Sequence, residues 1–482
     1  MNRVSIAFIL LCLILSGPVQ AQNTGELKRN AIERVESIRP LIVEMASSLW
    51  DFSETALQER RSADLLIGKL RAAGFRVETG IAGMPTAFVA THGSGSPVIG
   101  ILAEYDALPG VGNAPVPKRQ SRDDGVLSGH GCGHNLFGAA SVGGAIALKA
   151  VMEQAGLKGT IKVFGSPAEE TLVGKVYMAK AGVFDGLDAT IDWHPLLKTE
   201  VHNSGNLAMN NFEVEFFGQA SHSSMDPWNG RSALDAVELM NYGVNLMREH
   251  IEPTARIHYV IPRGGEAPNV VPEYAKVWYY VRDIKREGVN KYYNRILKIA
   301  EGAAIATGTN YKVRLITGVH DYLFNRPLQE IIRTNLELVG PPRFTPEEQE
   351  FGRALQKSLG KEEKGLHTRV EPLADEVKPA ESGSTDVAEV SWITPTAGFN
   401  VATAPIGVPW HSWATTACHG TGIGHKAAVV AAKVIAATGV DLLTRPDIVQ
   451  KARAFFQQAT GGKPYQSPIP KDQPPPVGAN KD

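Results

Sequence analysis

Cysteine is scarce. Three thiols among 482 residues cannot build the disulfide framework of a small secreted domain. An excess of one charge is missing too, with 49 Lys and Arg against 50 Asp and Glu and a net charge of -1. Without a basic surplus there is no sequence-independent grip on a phosphate backbone, so nucleic acid is not an expected partner. Past the N-terminus no unbroken apolar run reaches the ~18 residues of a membrane helix, and no membrane association is expected. Aromatic residues are only 7% of the chain, yet 43% are hydrophobic, too many for a disordered polymer. The length suits two or three domains of roughly 100–200 residues each.

The N-terminus is of different material. Arg3 precedes the uncharged apolar run 6–15, then come Ser16, Gly17 and Pro18, and Val19-Gln20-Ala21 offers small residues before Gln22. This is the pattern of a secretory signal peptide, so residues 1–21 are expected to be removed and the mature chain exported, to a bacterial periplasm. Cys12 leaves with it, and Cys132 and Cys418 remain.

Apolar residues at helical spacing predict a helix over 26–50. Strand-like runs at 98–103, 161–164 and 189–193 then alternate with helical patterns at 61–73 and 136–152. That alternation predicts an α/β core, a mostly parallel sheet flanked by helices. Near residue 206 the pattern changes. Phe212, Val214 and Phe216 alternate with Glu213 and Glu215, as in a strand with one wet face. Helical patterns at 232–250 and 287–304 and strand patterns at 256–261, 275–281 and 312–315 complete a β-α-β-β-α-β order. An α+β domain is thus expected over 207–324, inserted between core segments 22–206 and 325–460. The core ends with a helix over 426–437, and residues 461–482, with six prolines, read as an extended tail without a packing role.

Four short segments carry chemistry. Gly131-Cys132-Gly133-His134 places a thiol and an imidazole one residue apart in a glycine-rich turn, plausible half of a divalent-metal site. Glu169-Glu170 follows a strand; one carboxylate can bind metal while its neighbour meets a water. Asp192-Trp193-His194-Pro195 ends the next strand, and Pro409-Trp410-His411-Ser412 precedes the last core helix. Singly, each is as readily structural: a glycine turn, an acidic helix start, two satisfied histidines. Jointly they differ, because Asp106, Glu169, Glu170, His194 and His411 all follow core strands, and the carboxyl edge of a parallel sheet is where such folds bind ligands. Cys132, His134, Glu170, His194 and His411 exceed what one tetrahedral ion with an open position takes, which favours two metals. Bound water then ionises near pH ~7, and Glu169 is placed to take its proton and pass it to a leaving nitrogen. No His-Glu-x-x-His helix or Gly-x-Ser-x-Gly elbow offers another hydrolytic route.

With Glu104-Tyr105-Asp106-Ala107-Leu108-Pro109, Gly218-Gln219-Ala220-Ser221-His222-Ser223 and Pro268-Asn269-Val270-Val271-Pro272 added, the chain from about 30 to 440 resembles the amidohydrolase/aminoacylase branch of the M20 metallopeptidase superfamily. The resemblance implies a dinuclear-metal peptidase core holding two Mn or Zn ions and an α+β lid through which two subunits pair. It implies Cys132 as the bridging ligand, His134, Glu170, His194 and His411 as the other ligands, and Glu169 as general base. His222 would reach a partner's site to steady an oxyanion, and Asn269 would touch substrate near its carboxylate. Arg231 and Arg263 are candidate carboxylate holders, and the helix at 232–250 would lie at the pairing surface. Glu104-Tyr105-Asp106 stands where many members have His-x-Asp, so Asp106 is expected to orient a ligand instead of binding metal. The expected reaction is hydrolysis of the amide of an N-acyl or N-aroyl amino acid, p-aminobenzoyl-glutamate foremost. Dipeptides and indole-acetyl amino acids are the rival small-molecule substrates. A non-catalytic partner subunit is the reading of another class. A homodimer is expected, or pairing with a homologous second subunit.

Overall fold

The structure, a computed structural model, describes residues 23–378, 380 and 383–478; the expected signal peptide lies outside the described residues. Eleven strands are described. The first six are β1 (Arg76–Thr79), β2 (Phe88–Ser94), β3 (Val98–Glu104), β4 (Gly159–Ser166), β5 (Ala189–Leu196) and β6 (Glu200–Val201). The others are β7 (Ala208–Phe217), β8 (Arg256–Arg263), β9 (Tyr274–Asp283), β10 (Asn310–Val319) and β11 (Thr396–Ala402). They form a seven-stranded sheet in the order β1-β2-β4-β3-β5-β11-β6 and a four-stranded sheet in the order β10-β7-β9-β8.

In the larger sheet β4, β3, β5 and β11 are parallel neighbours, while β1, β2 and β6 add antiparallel edges. The parallel strands are buried on both faces because helices cover them; β3 has six buried residues in its seven. Its central cover is a pair of helices, His134–Ala155 and Gly422–Thr444, rich in Gly and Ala and closely packed on one another: a Cβ on Gly144 would come within 3.0 Å of the Ala432 carbonyl. By length and composition both could cross a membrane, contrary to the expectation from unbroken runs, but 89% and 78% of their most apolar windows are buried inside the protein. Their hydropathy serves the core.

The smaller sheet is antiparallel throughout, with helices Ala233–Met247 and Arg286–Thr307 packed on it in the predicted β-α-β-β-α-β order. Phe212, Val214 and Phe216 are fully buried under those helices. The opposite face is less wet than alternation suggests. Glu213 is 8% exposed, because Lys276 and Arg314 reach it at 3.1 and 2.7 Å.

Three local expectations change. The helix predicted over 26–50 is two, Thr24–Ser37 and Arg39–Phe52, since Pro40 is tolerated only in a first turn. A further helix, Pro446–Thr460, follows the last predicted one. The proline-rich segment after it is no loose tail. Ile469 is buried in the main core, the Tyr465 hydroxyl donates to Glu389, and the Gln473 amide donates to the Tyr177 hydroxyl at 2.7 Å and the Ile316 carbonyl at 3.1 Å. Prolines there fix an extended path whose few polar side chains find partners.

Candidate metal centre

The ends of the parallel strands deliver the chemistry to one edge. Register pairs Glu104 with Ser166 and His194 with Asn400, so the segments after β3 and β4 start side by side and His194 faces β11. Between Ser166 and the helix Gly174–Lys180 the chain reverses tightly. Ala168 and Leu172 take left-handed backbone angles (φ 58° and 56°), and a Cβ on Gly174 would lie 1.9 Å from the Pro167 carbonyl. Such strain persists only where the surroundings impose it. Here the Ala168 N–H donates to Glu59 at 2.9 Å and the Glu170 N–H donates to Asp106 Oδ2 at 2.9 Å. Gly133 (φ 88°) starts the helix that carries His134, and a Cβ on it would strike Pro195 at 2.8 Å. His411 is itself left-handed, at φ 53°.

These turns bring all five candidate ligands together. One atom each from Cys132, His134 and His194 lie within 4.8 Å of one another, and so do atoms of Cys132, Glu170 and His411. The two groups share Cys132. His194 Nε2 is 3.3 Å from Cys132 Sγ, and His411 Nε2 is 3.6 Å from Glu170 Oε2. The histidine tautomers are set from behind. His194 Nδ1 lies 2.6 Å from the Pro195 carbonyl, which can only accept, so Nε2 keeps its lone pair. His134 Nδ1 is 2.8 Å from Asp106 Oδ1. Asp106 therefore holds an imidazole with one oxygen and the Glu170 backbone with the other, and it does not join either three-residue group.

The donor set fits divalent metal. A thiol, imidazoles and carboxylates suit Zn and Mn alike. His134 Nε2 and Glu170 Oε1 are buried without a hydrogen-bond partner, a costly state unless a cation meets them. Electrostatics agree. Burial pushes the Cys132 thiol up and, with Asp106 opposing His134, pushes Glu170 to about 8; burial with Glu104 and Asp386 lifts Glu169 well above the carboxylate range. Burial, then His134, holds His194 well below the usual imidazole range, and burial likewise lowers His411. His194 and His411 are thus held neutral, as ligation requires. At His134 burial is outweighed by Cys132, Asp106 and Glu104, which raise the ring well above that range, so a bound cation would displace its proton as it reverses the shifts on the acids.

The centre opens into a cavity of about 660 Å³ whose lining includes Cys132, Glu169, Glu170, His194 and His411. Arg282, on β9 of the smaller sheet, lines it too, with its Nε buried and unpartnered. The sequence offered Arg231 and Arg263 instead. Neither lines this cavity: Arg231 donates to the carbonyls of Trp228 and Gly230, and Arg263 lies 3.4 Å from Glu266. An alternating strand gives no sign of which of its cations faces a neighbouring unit. His222 and Asn269 also fall outside the cavity lining, exposed on the smaller unit. His222 Nδ1 lies 3.2 Å from the N–H groups of Ser224 and Met225, so the neutral ring carries its proton on Nε2.

Two supports were given no role by the sequence reading. Glu59, pushed up to about 8 by burial and then Asp106, accepts from Leu57, Thr86 and Ala168 and anchors the Glu169 turn. His130 and His419 brace the Cys132 loop. The Asn135 N–H donates to His130 Nδ1 at 3.2 Å, His130 Nε2 lies 2.9 Å from the Leu49 carbonyl, and His419 Nδ1 lies 2.6 Å from the His130 carbonyl. Burial holds these two histidines down, at about 3 and about 4.

Comparison with known proteins gives this arrangement a family. The model of peptidase family M20/M25/M40 matches residues 100–470. The chain is 37% identical over 472 residues to a p-aminobenzoyl-glutamate hydrolase subunit of Escherichia coli (strain K12), covering 93% of this chain and 98% of that one. It is 28% identical over 456 residues to the Xaa-Arg dipeptidase of Mus musculus, covering 92% and 94%. Among solved structures it is similar to a dinuclear metal binding peptidase of the M20 family from Bacillus subtilis, with a TM-score of 0.57 at 19% identity over 85% of this chain and 99% of that one.

Proposed function

The chain belongs to peptidase family M20/M25/M40 and is a metal-dependent amidohydrolase, and from that premise we propose that it hydrolyses the amide bond of an N-aroyl amino acid, p-aminobenzoyl-glutamate first among them. One observation carries the reading: two ligand groups share Cys132 in the lining of a cavity that also holds Glu169 and the buried, unpartnered Nε of Arg282. Cys132, His134 and His194 would hold one ion, and Cys132, Glu170 and His411 the other. Bound there, two divalent ions, Mn or Zn, lower the pKa of water toward ~7 and polarise a carbonyl.

The chain's own groups do the rest. Glu169 lines the cavity beside the candidate ligands, placed to deprotonate the attacking water and to protonate the departing amine. Arg282 offers its buried, unpartnered Nε to the carboxylate of the amino-acid half. Trp410, Leu108 and Val201 give the cavity an apolar wall suited to an aromatic acyl group. His222, with its Nε2–H preset as a donor, reaches the oxyanion only if a second subunit brings it. That supports pairing through the smaller sheet unit, as a homodimer or with a homologous subunit, in keeping with a relative named as a subunit. Leu239, Tyr242 and Leu246 leave an apolar face on the helix Ala233–Met247 for that contact. The apolar run 6–15 and the Val19-Gln20-Ala21 site support export of the mature chain.

The test is release of p-aminobenzoate from p-aminobenzoyl-glutamate by the mature chain loaded with Mn or Zn, with an Xaa-Arg dipeptide and indole-acetyl-aspartate in parallel. Release by the wild type and not by Glu169→Gln supports the reading. Cleavage of the dipeptide alone moves the substrate to the peptidase side.

A further inference from the structure

Beside the cluster a lysine lies where none of the chemistry above employs it. Lys175 is fully buried, and its Nζ is 2.6 Å from Glu104 Oε1 and 2.6 Å from Asp386 Oδ1. Its backbone N–H donates to Asp386 Oδ2 at 2.8 Å. Stripping an ammonium of water is costly, and an apolar side chain of that length would avoid the cost. A lysine kept there has a task beyond filling space.

That task is visible on the other side of Glu104. Glu104 Oε2 and Glu169 Oε2 lie 3.2 and 3.9 Å from the same atom, His134 Nε2, and the three residues form a further group of ligand-type atoms. Two buried glutamates therefore compete for one nitrogen and for any cation that meets it. Lys175 separates them. It engages Glu104, whereas Glu169, among the described residues, has no ion pair to a lysine or arginine. Lys175 also sits in the first turn of the helix Gly174–Lys180, directly after the reversal that carries Glu169 and Glu170. One side chain thus ties that reversal to the end of β3.

We propose that Lys175 is a positioning residue of the catalytic centre, a fixed cation that occupies Glu104, keeps that carboxylate out of metal coordination, and leaves His134 Nε2 to the ion and Glu169 to the water. The inference rests on the reading of the site as a two-metal centre. It assigns the two glutamates different roles by which of them Lys175 pairs with.

The test compares the full mature chain with Lys175→Met, Glu104→Gln and the double variant, by zinc titration against a chelating dye and by steady-state hydrolysis of p-aminobenzoyl-glutamate. A buried cation removed a few ångströms from the site leaves its negative charge uncompensated, so Lys175→Met binds zinc about tenfold more tightly. Its kcat falls about a hundredfold, with KM within about threefold of wild type, because the general base shares its water with a misplaced carboxylate. Glu104→Gln shifts zinc affinity the opposite way, about tenfold weaker, and the double variant returns to within about threefold of wild type. Weaker zinc binding by a folded Lys175→Met overturns the proposal, since a scaffold defect loosens a site and does not tighten it. A double variant as weak as Glu104→Gln overturns it too, by making Glu104 a ligand. If Lys175→Met does not fold, Asp386→Asn replaces it, with weaker zinc binding in support and unchanged binding against. A wild type that binds zinc but leaves p-aminobenzoyl-glutamate intact contradicts the substrate alone, and the zinc arms still decide on Lys175.

Discussion

At the scale of single residues, the side chains that matter most are those buried without partners or charged without compensation. Glu169 is the proposed proton carrier. Replacing it with Gln keeps the shape and is expected to lower kcat about 10²–10⁴-fold while metal content stays at the wild-type level, which elemental analysis of the purified variant checks. Arg282 is the proposed anchor for a carboxylate. Arg282→Ala is expected to raise KM roughly a hundredfold for an acyl amino acid, and far less for the matching amino-acid amide; equal losses on both substrates would assign it to the fold. Asp106 shows what a sequence conveys and what it withholds. Its place in Glu104-Tyr105-Asp106 marked it as a carboxylate beside the metals, and the structure has it holding His134 and the Glu170 backbone. Glu59 does comparable work on the Ala168 N–H from a stretch of sequence with no pattern around it. Ligands advertise themselves through glycines and neighbouring motifs, whereas the groups that brace them can come from any strand or loop that happens to pass.

At the scale of elements, the parallel strands were legible because each is a short apolar run flanked by turn residues, and the carboxyl-edge rule then placed the motifs that follow them. The division of the first helix at Ile38 and the helix Pro446–Thr460 were read past, although a proline in the first turn, Pro40 and Pro446, marks the start of each. Arg282 was missed because alternation along β9 says which residues share a face and not what that face meets. The proline-rich segment was misjudged because its anchors are polar and distant. Tyr465 and His320 both meet Glu389, with His320 Nδ1 at 2.8 Å. Burial alone would raise the Glu389 carboxyl, but His320 and then Tyr465 outweigh it and hold it below the ordinary value. A depressed folded pKa stabilises fully above the unfolded value of ~4.3 and loses that contribution as pH falls through the folded one. Glu389→Gln is therefore expected to lower the melting temperature at neutral pH, with the gap to wild type closing below pH ~4. A gap that is constant with pH would mean that Glu389 acts through packing.

At the scale of the whole molecule, two sheet units contribute unequally to one cavity. The unit built on the seven-stranded sheet supplies every candidate metal ligand, and the four-stranded sheet supplies Arg282. Metal should then bear on stability as well as on turnover. Ligands that bind only the folded chain add about 2.7 kcal/mol when present at a hundred times their dissociation constant. Dialysis against a chelator is expected to abolish hydrolysis and lower the melting temperature, and Mn or Zn should restore both. Because Cys132 belongs to both ligand groups, the two-metal centre can be tested by counting metal ions per chain in the wild type and in Cys132→Ala, alongside hydrolysis. Two ions are expected in the wild type, both weakened together in the variant, and hydrolysis lost with them. A variant that keeps one ion tightly and hydrolyses at the wild-type rate would contradict a centre built on a shared thiolate.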